Sequence, residues 1–124
     1  VYNIRRRATL AEVNAGFTLL SAVPGVAYRM VQASIIAVGG AATAGTSVDI
    51  GGTSSSARLL VVFAQASMTQ STELRAGDTG STILADGASF TVNDANTAIT
   101  VAAVGTFTTA THFDIIFEYA MEHS

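Results

Sequence analysis

The sequence predicts an all-β fold: a single-domain antiparallel β-sandwich or jelly roll with a short extended N-terminal arm. Three observations carry that expectation. Apolar residues recur with a period of two, pairs rich in Gly, Asn and Asp punctuate the runs, and helical periodicity is nearly missing. No window of helical length keeps a 3.6-residue period without Gly or a β-branched run breaking it. At 124 residues the chain is one domain long. A chain of that size buries roughly two thirds of its unfolded surface, enough for a real core.

The arm comes first. Residues 1–8 begin VYNIRRR and differ in kind from residues 9–124, which form the domain. Arg5, Arg6 and Arg7 stand together, three of the six basic residues in a chain that has no lysine. The next long run, Val26 to Val38, is expected as a strand apolar on both faces. Strict alternation puts Val26, Tyr28, Met30, Ile36 and Val38 on one face and Val31, Ala33, Ile35 and Ala37 on the other. Residues 59–68 behave alike, with Leu59, Val61 and Phe63 against Leu60, Val62, Ala64 and Ala66, and so does Ala98 to Val104. The clearest half-buried strand is 112–122. There Phe113, Ile115, Phe117, Tyr119 and Met121 share one face, while His112, Asp114, Glu118 and Glu122 lie on the wet one.

Between these runs NAG (14–16), PG (24–25), GG (39–40 and 51–52), GD (77–78), DG (86–87) and NDAN (93–96) supply turn chemistry. The spacing gives roughly eight strands. A strand with two apolar faces is covered on both sides, and in a nearly helix-free domain a neighbouring subunit is the natural cover.

Composition supports that view. Charged residues make up 12% of the chain and mean hydropathy is +0.45, against about 25% charge in ordinary soluble domains. Net charge is −3, so no global basic field exists to hold nucleic acid or an anionic membrane. Cysteine is absent, which excludes disulfides and thiolate chemistry. The charge-free stretch Met30–Val48 contains Gln, Ser, Thr and a Gly-Gly pair, and reads as strand, turn, strand in preference to a membrane span. Glu12 and Asn14 interrupt the segment after the arginines, where a secretory signal would be apolar. A soluble protein made in a cytoplasm is expected.

No residues assemble into a recognisable active site. His112 and Asp114 share a strand face, but a zinc site takes three or four ligands, and an exposed histidine beside a carboxylate is the expectation. Asp49, Asp78, Asp86 and Asp94 sit in or beside Gly-containing turns, where Asp serves the backbone. NDANTA (93–98) lacks the acidic alternation and distal Glu of a calcium loop. The stretch GGAATAGTS (39–47) has no lysine and opens no helix, so it reads as a long mobile loop and not as a phosphate cradle. Phe17, Phe63, Phe113 and Phe117 read as core aromatics. Neither an enzyme nor a cofactor or metal protein is expected.

Taken together, PGVAYRMVQASIIAVGG, ILADGASFTVNDANTAITVAAVG and THFDIIFEYAMEHS resemble the small Gly/Ala/Thr-rich β-domains of tailed-bacteriophage virions, capsid decoration (cement) proteins above all. The resemblance spans approximately residues 17–124 and lies in texture and strand order. It implies a non-enzymatic homotrimer on the outside of an icosahedral capsid, where it bridges neighbouring subunits of the major capsid protein. Similar β-domains serve in tail fibres, so a receptor- or glycan-binding domain is the alternative. That alternative requires exposed aromatics and Asp/Asn side chains converging at one end. A sugar-active enzyme requires carboxylates from distant turns meeting in a cleft.

The arm completes this reading. Tyr2, Ile4, Arg5, Arg6 and Arg7 are expected to form a strap outside the core that orders on a partner, its guanidinium groups facing carboxylates of another chain.

Overall fold

This computed structural model describes residues 2–52, 58–93 and 95–123. In chain order its elements are β1 (Tyr2–Thr9), α1 (Leu10–Ala15), β2 (Phe17–Leu20), β3 (Val26–Val38), β4 (Ala42–Thr43), β5 (Ser47–Gly52), β6 (Arg58–Ala64), β7 (Glu73–Arg75), β8 (Ser81–Ile83), β9 (Ile99–Val104), β10 (Thr108–Thr109) and β11 (His112–His123). Short 3-10 turns cover Gln65–Ser67 and Ala85–Phe90. The strands build an antiparallel four-stranded sheet, β1-β11-β3-β7, and a five-stranded sheet, β2-β9-β5-β6-β8, with β4 and β10 as a separate pair. One contiguous apolar core joins the two larger sheets, so the protein is an all-β sandwich. The expected strand count was roughly eight. The excess comes from two- and three-residue strands, too short to show a period.

Alternation decides the core. On the inner side of the four-stranded sheet, Ala8, Phe113 and Ala37 share one rung, and Arg6, Ile115, Ile35 and Leu74 the next. Phe113, Ile115 and Phe117 are fully buried, as the period over 112–122 predicted. In the other sheet Val48 lies beside Phe63, and Ile50 beside both Val61 and Val101, all buried. Burying side chains of this size contributes roughly 1.5–3 kcal/mol each. Phe107, between β9 and β10, is a further core aromatic, packed edge-on against Phe113 with centroids 5.9 Å apart.

Strict alternation fails at three bulges: one in β2, where Leu19 is the extra residue and is buried together with Leu20, and one each in β3 and β6. In β3, Gln32 pairs with Glu118 but Met30 pairs with Tyr119, leaving Val31 as the extra residue. The phase therefore slips by one, and Tyr28 and Met30 join Ala33, Ile35 and Ala37 on the buried side. In β6, Ile50 pairs with Val61 but Gly51 with Leu59. Leu60 is the bulged residue, buried with Val61 and Phe63, while Leu59 is left exposed. β3 therefore carries less outward apolar surface than an unbroken period of two predicts, whereas in β6 Leu59 takes the outward place of Leu60.

The expected mobile loop at 39–47 is built into the fold. The Gln65 Nε2 donates to the Ala42 carbonyl at 2.6 Å, and the Thr43 hydroxyl meets those of Thr108 and Thr109. A Cβ at Gly45 would lie 2.6 Å from the Phe107 ring, so the chain passes too close to that ring for any side chain. No described helix is long and apolar enough to cross a membrane.

Candidate functional site

Two surfaces of this sandwich stand apart from the rest: the arginine-bearing edge of one sheet and the outer face of the other.

The edge is β1. The expected arm is extended, but it is not detached. Tyr2 to Thr9 pair with Tyr119 to His112 in unbroken antiparallel register, so the segment is the outermost strand of the sheet. The correction has a physical cause. The only way to pair the outward β11 edge is to lay another strand along it, and the inner positions Ile4 and Ala8 reach the core.

Alternation separates the three arginines. Arg5 and Arg7 point outward and meet the same carboxylate. Arg7 grips Asp114 bidentately, Nε to Oδ1 at 2.8 Å and Nη2 to Oδ2 at 3.0 Å, while Arg5 Nη2 reaches Oδ2 at 3.2 Å. The Asp114 side chain is only 4% exposed, whereas those of Arg5 and Arg7 are 66% and 57% exposed. The Arg7 hydrogen bond, joined by Arg5, holds the Asp114 carboxyl below its ordinary range against the opposing effect of burial. In turn Asp114 raises the Arg7 pKa. Asp114 was expected on a wet face beside His112; it is instead buried under two guanidinium groups.

Arg6 points inward, at the seam between the sheets. Its Nη2 bonds Glu12 Oε2 at 2.6 Å, and its guanidinium sits 4.7 Å from the centroid of Phe17 on β2. Glu12 also accepts from the Thr9 amide at 3.0 Å, and its own amide donates to the Thr9 hydroxyl at 3.2 Å. This reciprocal capping box starts α1. The Thr9 amide, and then Arg6, hold the Glu12 pKa down. The carboxylates expected from another chain are therefore supplied by this one, for all three arginines. Tyr2 is 54% exposed and stacks on Tyr119 with centroids 5.8 Å apart.

The second surface is defined by missing charge. Of the six basic residues, Arg5, Arg6, Arg7, Arg29 and Arg75 lie on the four-stranded sheet, as do Glu73, Asp114, Glu118 and Glu122 among the nine acidic ones. Strands of the five-stranded sheet carry Asp49 and Arg58 alone. Its outward rungs are Val104–Ser47–Ala64, Ala102–Asp49–Val62–Thr82 and Thr18–Thr100–Gly51–Leu59. Ser47 donates to the Asp49 carboxylate at 2.8 Å, so the one acid in these rungs already has a partner. Asp49 thus sits mid-strand and not in a turn. Leu59 and Val104 are nearly half exposed.

The other expected residues fall as follows. Asp78 accepts from the Arg75 amide at 3.1 Å and serves its turn. Asn96 Oδ1 accepts from the Gly25 amide at 2.8 Å, so it is committed to the backbone. Asp94 lies outside the described residues. Among the described residues no cluster of three His, Asp or Glu side chains is placed to hold a metal, and no pocket is formed. Phe17 is half-buried under Arg6, unlike fully buried Phe63, Phe113 and Phe117. Sequence reasoning missed Glu12 and Asp114 as partners of the arginines. The Thr9-x-x-Glu12 spacing signalled the first; nothing local signals the second, more than a hundred residues away.

Comparison of the chain with protein-family models, curated proteins and solved structures finds no match in any of the three.

Proposed function

We propose that this protein is a structural component of an assembly, a homo-oligomer that binds other protein subunits through extended surfaces. The observation that carries the proposal is the segregation of charge. One sheet takes nearly all the strand charges and keeps its outer face wet, while the outward rungs of the other are built from Val, Ala, Thr, Ser, Gly and Leu, with Asp49 their one acid. A face of that composition is inexpensive to remove from water, because almost no charge must be desolvated. Within this class, the resemblance to phage decoration proteins favours a trimer on the outside of a capsid, bridging major capsid subunits, made in the host cytoplasm. No catalytic or cofactor role is proposed. The glycan-binding alternative draws support from exposed Tyr2 alone, since Asn96 is turned to its own backbone.

Sedimentation equilibrium at micromolar concentration tests the oligomer, with three times 12.7 kDa expected and a monodisperse monomer counting against it. Co-sedimentation with undecorated phage capsids tests the capsid role. Protein that stays in the supernatant at low salt counts against that role.

A further inference from the structure

Among the described residues the sandwich has four edge strands. Three are short: β2 has four residues, and β7 and β8 have three each. The fourth, β1, has eight, and among the described residues no strand pairs with its second edge. A long open edge presents a row of backbone donors and acceptors to any extended chain. Natural edges of this length are guarded, and here the guard is the arginine run.

That guard is selective. If β1 of a second copy added antiparallel about the Arg5–Arg7 run, guanidinium groups would face guanidinium groups, and like charges directly opposite are destabilising. The same run favours the opposite charge. Arg5 and Arg7 share a single buried carboxylate between two largely exposed guanidinium groups, so around Asp114 the outer side of the edge carries one positive charge in excess, with Glu118, opposite Asn3, the next acid along β11. On the inner side, Arg6 is already occupied by Glu12 and Phe17, while Tyr2 stays exposed and Ile4 is only partly buried. Two different demands therefore alternate along one strand.

We infer that β1 is the docking edge for an extended acidic segment of a partner protein, which adds as a fifth strand with carboxylates opposite Arg5 and Arg7 and apolar side chains opposite Tyr2 and Ile4. Backbone hydrogen bonds supply the attachment and the alternating side chains supply the choice of partner. The inference deepens the assembly reading, and it rests on that reading only in taking the protein to have a protein partner. It also returns a partner role to the residues expected to form a strap, as a fixed rail and not a free arm.

The probe is a short blocked peptide alternating Asp with Val, titrated into the intact protein and followed by amide shifts and hydrogen exchange. Saturable binding is expected, with new protection at those β1 amides that face away from β11, and with affinity falling as salt rises. A peptide with Lys in place of Asp should not bind, and the Asp peptide N-methylated along one edge should lose binding. Arg5→Gln, which leaves Asp114 in the bidentate grip of Arg7, should weaken the Asp peptide by about two- to fivefold. Equal binding of the Asp and Lys peptides overturns the inference. So does undiminished binding of the N-methylated peptide, or no response of the β1 amides to either. None of these results bears on the oligomer, which sedimentation reads separately.

Discussion

Asp114 is where local sequence and long-range structure part company. Nothing around HFDII marks it as different from the other outward residues of its strand, yet it is the buried anchor for two arginines. Its partners lie at the other end of the chain, and period-two reasoning assigns faces without saying which strands meet. The arginine run itself was legible as special; its intramolecular satisfaction was not. The pH dependence follows from the sign of the shift. The folded carboxyl titrates below its unfolded value of about 3.9, so its contribution is complete above that value and is lost as pH falls through the folded pKa. Asp114→Asn should cost about 1.5–3 kcal/mol at neutral pH, the usual scale for hydrogen bonds to a charged group. The gap between wild type and variant should be flat from pH 7 to about 5 and close below about pH 4. Urea unfolding across that range measures it, and a gap that persists unchanged at pH 2.5 would show that Asp114 contributes no charge-dependent stability.

At the scale of elements, strand existence was legible and strand phase was not. The runs at 26–38, 59–68, 98–104 and 112–122 all contain strands, because β-branched and aromatic residues mark them whatever their neighbours do. The bulges at Val31 and Leu60 left no local signal, since an extra apolar residue in an apolar run looks like more of the same. One bulge changed which face of β3 holds Tyr28 and Met30. Helix α1 escaped for the opposite reason: at six residues it is shorter than a periodic window, although Thr9-x-x-Glu12 announces its start. Thr9→Ala should cost about 1 kcal/mol by removing the cap, read as a lower urea midpoint with an unchanged slope. An unchanged midpoint would mean that packing alone holds α1. A second element rests on one glycine. Gly80 has φ +82°, and a Cβ there would collide with the Ser67 side chain. Gly80→Ala should lose roughly 1–3 kcal/mol from backbone strain and more from that collision, visible as a fall in thermal midpoint, while Gly87→Ala, at φ +74° but with open space around it, should lose less.

Over the whole molecule, the low charge of the sequence proves to be a matter of placement. A uniform scarcity would leave both outer faces equally poor; here the four-stranded sheet keeps paired charges such as Arg29 and Glu122 at 3.2 Å, and the five-stranded sheet keeps almost none. In the proposed oligomer that asymmetry favours the five-stranded sheet as the contact, a choice composition alone left open among three strands. It also gives a test that separates interface from fold. Val104 is an exposed residue of the rung Val104–Ser47–Ala64, which carries no charge, so Val104→Arg adds a charge where the proposed contact is driest without touching the core. Surface changes of this kind usually alter a protomer's own stability by no more than about 0.5 kcal/mol. At an interface the same charge meets the cost of desolvation, and the oligomer should dissociate. Glu73→Arg on the charged sheet is the matched control and should leave assembly intact. Because association stabilises by mass action, the wild-type thermal midpoint should rise with protein concentration, as should that of Glu73→Arg, whereas that of Val104→Arg should not. If all three proteins show the same concentration dependence, the uncharged face is not the contact between copies.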